Sequence, residues 1–163
     1  DITRVSFDAR YALIGHDLGP RRAGSFYRLK GHYSKLDPAD LASGPWVVFV
    51  DQNSQYIGET PHFIIREFLL GKARQLRLDV VEWSNEYWGC TWMPKLQDFV
   101  ERDNISGLIV PSIHAFSGTV EKTKQLFEQS LKSGQQILFA DENILLKDEQ
   151  GLETIFQILN LEK

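Results

Sequence analysis

The sequence predicts a three-layer α/β domain, with a mostly parallel sheet of four or five strands, helices on both faces and an amino-terminal β-hairpin extension. Three observations lead there. Trp46-Val47-Val48-Phe49-Val50 is a continuous apolar run, as expected of a strand covered on both faces. Leu108-Ile109-Val110 and Ile137-Leu138-Phe139 are two more such runs. Between those two lies a segment of helical period, with Val120, Leu126, Phe127 and Leu131 on its apolar stripe and Glu121, Lys124, Glu128 and Lys132 off it. Strand, helix and strand in that order form most economically a right-handed β-α-β unit with parallel strands. The stretch from Ile105 to Asn143 is therefore the organising centre.

The elements follow in order. Residues 1–44 depart from the β-α alternation and are assigned to the hairpin extension; residues 45–163 are assigned to the α/β domain. Val5, Phe7 and Ala9 alternate with polar neighbours as in a half-buried strand, residues 19–24 read as a turn, and Phe26 to Leu29 begin a second strand. Asp37 to Leu41 resembles a short helical turn. After the first apolar run, Thr60-Pro61 is a helix start, with Thr60 as N-cap and Pro61 at the first helical position. Ile65, Phe68, Leu69 and Leu76 are its expected stripe. Leu78 to Trp83 is the next strand, and Pro94 starts a short helix with Leu96, Phe99 and Val100 inward. The last helix, Gly151 to Leu161, carries Leu152, Ile155, Phe156 and Leu159 on one side, and Ile158 and Leu161 widen that stripe.

Composition narrows the function classes. At 163 residues, 42% hydrophobic and 25% charged, the chain is globular. A net charge of -4 disfavours a broad nucleic-acid surface, but the charge is uneven. Residues 1–44 hold seven basic and five acidic side chains, a net +2; the rest hold eleven and seventeen, a net -6. Arg21 and Arg22 in the basic segment are candidate phosphate contacts. The single cysteine, Cys90, excludes an intrachain disulfide, fits a reducing, cytoplasmic setting, and reads as part of an aromatic-packed loop. No apolar run approaches the ~20 residues of a membrane span. A chain that starts at Asp1 with Met93 as its single methionine reads as a fragment or a processed product.

Polar residues cluster where strands end. Asp51, Asn53, Asn85, Glu86, Ser112, His114, Asp141 and Glu142 all fall near carboxyl ends of expected strands, where open α/β sheets place ligands. Carboxylates there can hold Mg²⁺ and direct phosphoryl chemistry, with His114 as acid or base; the plainer reading is solvated loop starts. Cys/His zinc spacings are absent, and Tyr56-Ile57-Gly58-Glu59 is not a glycine-rich phosphate loop, so no metal or cofactor is assigned. Tyr87, Trp88 and Trp92 form an aromatic loop that either binds a partner or caps the core.

From Trp46 to Lys163 the sequence resembles the catalytic domain of serine recombinases, the resolvase/invertase family. The best-matching block runs from Ser106-Gly107-Leu108-Ile109-Val110 through Asp141-Glu142-Asn143 to Gly151-Leu152-Glu153-Thr154-Ile155-Phe156. The resemblance implies a resolvase-like, flavodoxin-like sheet and contacts between subunits through the final helix. The family's chemistry does not carry over. Its strand Y-x-R-x-S matches Phe49-Val50-Asp51-Gln52-Asn53, so Asp51 stands at the arginine and Asn53 at the nucleophilic serine; Ser54 is one residue away. Its loop D-R-L-S-R matches His114-Ala115-Phe116-Ser117-Gly118, so His114 replaces the aspartate, and Ala115 and Gly118 replace the arginines.

A serine attacking a phosphodiester needs its proton removed and the non-bridging oxygens stabilised, and loss of one donor costs on the order of a hundredfold in rate. Three arginines missing, one of them exchanged for an anion, imply a pseudo-recombinase. The leading expectation is an inactive module for protein assembly or self-association, with interface candidates Ile155, Phe156, Leu159, Trp88 and Trp92. The alternatives are a DNA-binding accessory domain using the basic segment, and a small-ligand or metal-dependent phosphate site built on Asp51, Asn53, Glu86, Ser112, His114 and Asp141.

Overall fold

The computed structural model describes residues 36–58 and 60–161. Five strands form one sheet: β1 (Pro45–Val50), β2 (Asp79–Asn85), β3 (Gly107–Val110), β4 (Gln136–Phe139) and β5 (Ile144–Leu146), in the order β2-β1-β3-β4-β5. The first four are parallel, and β5 is an antiparallel edge, with Phe139 opposite Ile144. Four helices cover the sheet: α1 (His62–Leu76), α2 (Pro94–Val100), α3 (Val120–Lys132) and α4 (Glu149–Leu161). This is the expected three-layer α/β architecture.

The alternation of β1 builds both layers. Val47 and Phe49 point into one core with α2, α3 and α4, through Leu96, Phe99, Leu126, Phe127, Ile155 and Phe156. Trp46, Val48 and Val50 point into the other, against Ile65, Leu69 and Ala73 of α1. Every residue of β1 from Trp46 to Val50 is fully buried, which explains its unbroken apolar run. Leu36, Leu41 and Ala42 pack on the α1 side, and the helical turn there is a 3-10 turn, Pro38–Asp40, capped by Asp37. The expected strands within residues 1–35, and Arg21 and Arg22 with them, lie outside the described residues.

Several boundaries differ from the expectation. Helix α1 begins at His62, with Pro61 rather than Thr60 at the N-cap and no side-chain cap. Phe68 is 40% exposed; the buried stripe is Ile65, Leu69 and Ala73, spaced by four, so the small Ala73 takes the place expected for a bulky residue. In α3, Thr123 and Ser130 are buried while Val120 and Leu131 are partly so, and Thr119 caps the helix by accepting from Lys122 N. Strand β2 runs on through Ser84 and Asn85, because its register against Phe49 and Val50 continues to the end of β1. Its register shifts opposite Trp46 and Val47, a bulge that leaves Val81 outward and exposed. The three-residue β5 carries no periodicity and was not expected as a separate element. The aromatic loop is not packed: Trp88 is 80% and Trp92 63% exposed, and Met93 fills the core beside them. Among the described residues no helix is long and apolar enough to cross a membrane.

Gly107 shows how tightly β3 is seated. A Cβ there would meet Trp46 Cζ3 at 2.6 Å and the Gln136 carbonyl at 2.8 Å. Gly107→Ala is expected to lower the unfolding free energy by roughly 2 kcal/mol in urea denaturation, because neither a buried indole nor a strand carbonyl can yield cheaply.

Candidate functional site

The strand order reverses direction between β1 and β3, and the loops beyond their carboxyl ends form the crevice where such sheets place ligands. Asp51 ends β1. Its carboxylate is fully buried: Oδ1 accepts from Asn53 N at 3.0 Å, and Oδ2 accepts from both Ser117 N and Ser117 Oγ at 2.7 Å. The first bond shapes the turn after β1, and the other two hold the loop after β3. Asn53 points the other way. Its amide donates to the Tyr87 carbonyl (2.9 Å) and the Cys90 carbonyl (3.4 Å), and its Oδ1 accepts from Gly89 N (2.8 Å), so it pins the aromatic loop. The Ser54 hydroxyl is buried, donating to the His114 carbonyl and accepting from Tyr56 N, both at 3.2 Å.

Glu86 is a helix cap. It is buried at the end of β2, and its carboxylate accepts from the backbone N–H groups of Tyr87, Lys95 and Leu96, holding the positive amino-terminal end of α2. Ala115 is buried in the core on the α1 side. Gly118 sits so close to its surroundings that a Cβ would lie 2.4 Å from Met93 Cε and 3.1 Å from the Thr91 carbonyl. A side chain at Gly118 would therefore require Met93 and the Thr91 backbone to give way.

A second group of polar residues gathers at the ends of β3 and β4. The Tyr56 hydroxyl donates to Asp141 Oδ2 at 2.5 Å, and the Tyr56 ring stacks on His114, centroids 6.2 Å apart. The Ser112 hydroxyl, fully buried, donates to Glu142 Oε1, which also accepts from Ile113 N. Glu142 Oε2 is buried without a hydrogen-bond partner. Burial, reinforced by the neighbouring Asp141 charge, pushes the Glu142 carboxyl up to about 7, while the Ser112 bond works in the opposite direction. Burial and the bond to Asp141 raise Tyr56 well above the usual phenol range. Lys72 of α1 bonds Asn143; burial lowers its pKa and the Asp141 charge opposes that shift.

A cleft of about 440 Å³ opens between the two groups, lined by Asn53, Gln55, Tyr56, Thr91, Phe116 and Ser117 among others. His114 also lines it. Among the described residues no Lys, Arg, Asp or Glu lines it. Of the residues expected at a ligand site, Asn53 and His114 reach this cleft, whereas Asp51 and Glu86 are consumed by backbone and hydroxyl donors, Ser112 bonds the Glu142 carboxylate and the His114 N–H, and Asp141 acts behind Tyr56. Gln55, Tyr56, Thr91, Phe116 and Ser117 were not singled out, since their convergence rests on contacts across the fold. Among the described residues, no group of three or more His, Cys, Asp or Glu is placed to hold a metal ion.

The interface candidates divide. Trp88 and Trp92 project into solvent, while Ile155 and Phe156 are core residues; Phe156 lies against the Phe127 ring, centroids 6.0 Å apart. Leu159 is half-buried and lines a second hollow of about 290 Å³ with Ile113, Phe116 and Val120.

No family model matches the chain, and no curated protein matches it. Among solved structures, the N-terminal catalytic domain of TP901-1 integrase is similar with a TM-score of 0.56 at 14% identity, over 72% of this chain and 92% of that one. A resolvase family site-specific recombinase from Streptococcus pneumoniae is similar with a TM-score of 0.58 at 9% identity, over 74% of this chain and 88% of that one. At such identities the likeness is one of fold: the chain has the resolvase-like architecture of serine-recombinase catalytic domains.

Glu142 makes stability depend on pH. Its carboxyl rises from 4.5 to about 7 on folding, so the folded chain holds a proton that the unfolded chain has released. This contribution is complete below 4.5 and is lost as pH rises through about 7. Glu142→Gln is expected to remove that loss. Measured by urea denaturation, the variant should gain on the order of 3 kcal/mol relative to wild type between about pH 5 and about pH 8.

Proposed function

We propose that the chain is a non-catalytic relative of serine-recombinase catalytic domains that serves as a protein-assembly module in a DNA-processing context. One observation carries this reading. Each position matching the family's nucleophile and arginines is occupied by a residue with a structural task or without space for the original side chain. Asp51 latches the β3 loop, Asn53 pins the aromatic loop, Ala115 is core, and Gly118 lies against Met93. Ser54, the nearest hydroxyl, is buried and bonded in both directions.

Electrostatics supports the same reading. Among the described residues, a phosphodiester entering the cleft would find no guanidinium or ammonium in its lining. It would approach Tyr56 and Ser117, each directly bonded to a carboxylate. Transition-state charge on phosphoryl oxygens would be repelled where the family chemistry needs it stabilised. Assembly is left to the surface. Trp88, Trp92 and Tyr87 stand out on a loop that Asn53 holds in place, and such pre-ordered aromatics lose little entropy on contact. Leu159 offers a second apolar contact at the end of the chain. An interface using Ile155 or Phe156 would require α4 to leave the core.

Two experiments test the two halves. Incubated with supercoiled plasmid and denatured without proteolysis, the protein is expected to give no covalent protein–DNA adduct; an adduct lost in Ser54→Ala would overturn the inactive reading. In sedimentation velocity, wild type is expected to self-associate in the ~10 μM range, and a Trp88→Ser/Trp92→Ser variant to shift to smaller species with its Tm unchanged. A monomer at all concentrations in both proteins would count against self-assembly.

A further inference from the structure

We propose that the cleft beyond β1 and β3 binds an uncharged, planar, hydrogen-bonding ring: a nucleobase, carried by a free nucleoside or by an unstacked position in a single strand. This inference goes beyond the assembly reading and does not depend on it.

Charge sets the first constraint. Among the described residues no lysine or arginine lines the cleft, and Lys72 is bonded to Asn143 instead. The two carboxylates closest in bonding terms are Asp141, on the Tyr56 hydroxyl, and Asp51, on Ser117. A phosphate placed in the cleft would lose its hydration without gaining a cation, whereas a neutral group loses far less.

Shape sets the second. Three rings line the cleft: Tyr56 and His114, whose planes differ by only 28°, and Phe116, held edge-on against Phe127. A flat ligand can lay its face on such walls, since every base has a π-face that stacks on an aromatic side chain. The volume of about 440 Å³ falls within the range of small-molecule sites.

Hydrogen bonding sets the third. Gln55 is exposed at the cleft and carries both a donor and an acceptor, and Thr91 adds an exposed hydroxyl. The Ser117 hydroxyl gives its proton to Asp51, which leaves its oxygen to accept. A neutral amide with neutral hydroxyls suits a ring whose edge alternates donors and acceptors.

Saturation-transfer NMR on the full chain tests this with adenosine, guanosine, cytidine and thymidine, their 5′-monophosphates, and short single-stranded homopolymers. At least one nucleoside is expected to bind with a Kd of roughly 0.1–1 mM, and its monophosphate about tenfold more weakly. Thr91→Trp, which fills the mouth from an exposed position, and Gln55→Ala should each weaken binding by about fivefold or more with Tm unchanged. A homopolymer that binds with the same dependence on Thr91 names a strand as the source of the base; one that does not names the free nucleoside, and either supports the site. No nucleoside signal at 10 mM would overturn the proposal. So would a monophosphate that binds more tightly than its nucleoside, or binding indifferent to Thr91→Trp.

Discussion

The carboxylate of Asp51 is the interaction on which the architecture of the site depends. It is fully buried at the end of a strand that is itself fully buried from Trp46 to Val50, and it is acceptable there because three donors converge on it. An unpaired anion in that position would cost several kcal/mol, so the loop that supplies Ser117 must close for β1 to end as it does. The loop in turn places Phe116 and Ser117 at the cleft and brings Gly118 against Met93. A residue that would repel a phosphate in a phosphoryl-transfer site is here a structural clasp.

The same exchange recurs along the sheet ends. Glu86 holds the start of α2, Asn53 holds the aromatic loop, and Ser112 turns toward Glu142. These polar groups at the strand ends are satisfied internally. Asn85 and Glu142 differ, because Asn85 Oδ1 and Glu142 Oε2 are buried without a hydrogen-bond partner; only Glu142 is ionisable. That defect gives the domain a titrating group near neutral pH within a well-packed framework.

The layers of this fold were legible in the sequence because they depend on local pattern. The unbroken apolar run of β1, the helical spacing in α3 and the short α2 after Pro94 all report burial within one element. Elements that depend on partners were not legible. Strand β5 exists because β4 offers an open edge, and three residues carry no period of their own. Phe68 fits a helical stripe by spacing, yet Ala73 takes the buried place. The departures from a motif at Asp51, Asn53, Ala115 and Gly118 could be read in the sequence. The partners these loops bond could not, since Asp51 and Ser117 are sixty-six residues apart and Tyr56 and Asp141 eighty-five.

The central claim is that Asp51 is a structural clasp and not a displaced catalytic group. Equilibrium unfolding of Asp51→Ala tests it most directly. The clasp predicts a loss of roughly 3–5 kcal/mol, because the substitution leaves Asn53 N, Ser117 N and Ser117 Oγ without their acceptor. It also predicts that Ser117→Ala loses less, since the Ser117 backbone bond survives. An Asp51→Ala variant as stable as wild type would contradict the account and return Asp51 to the list of residues held for chemistry.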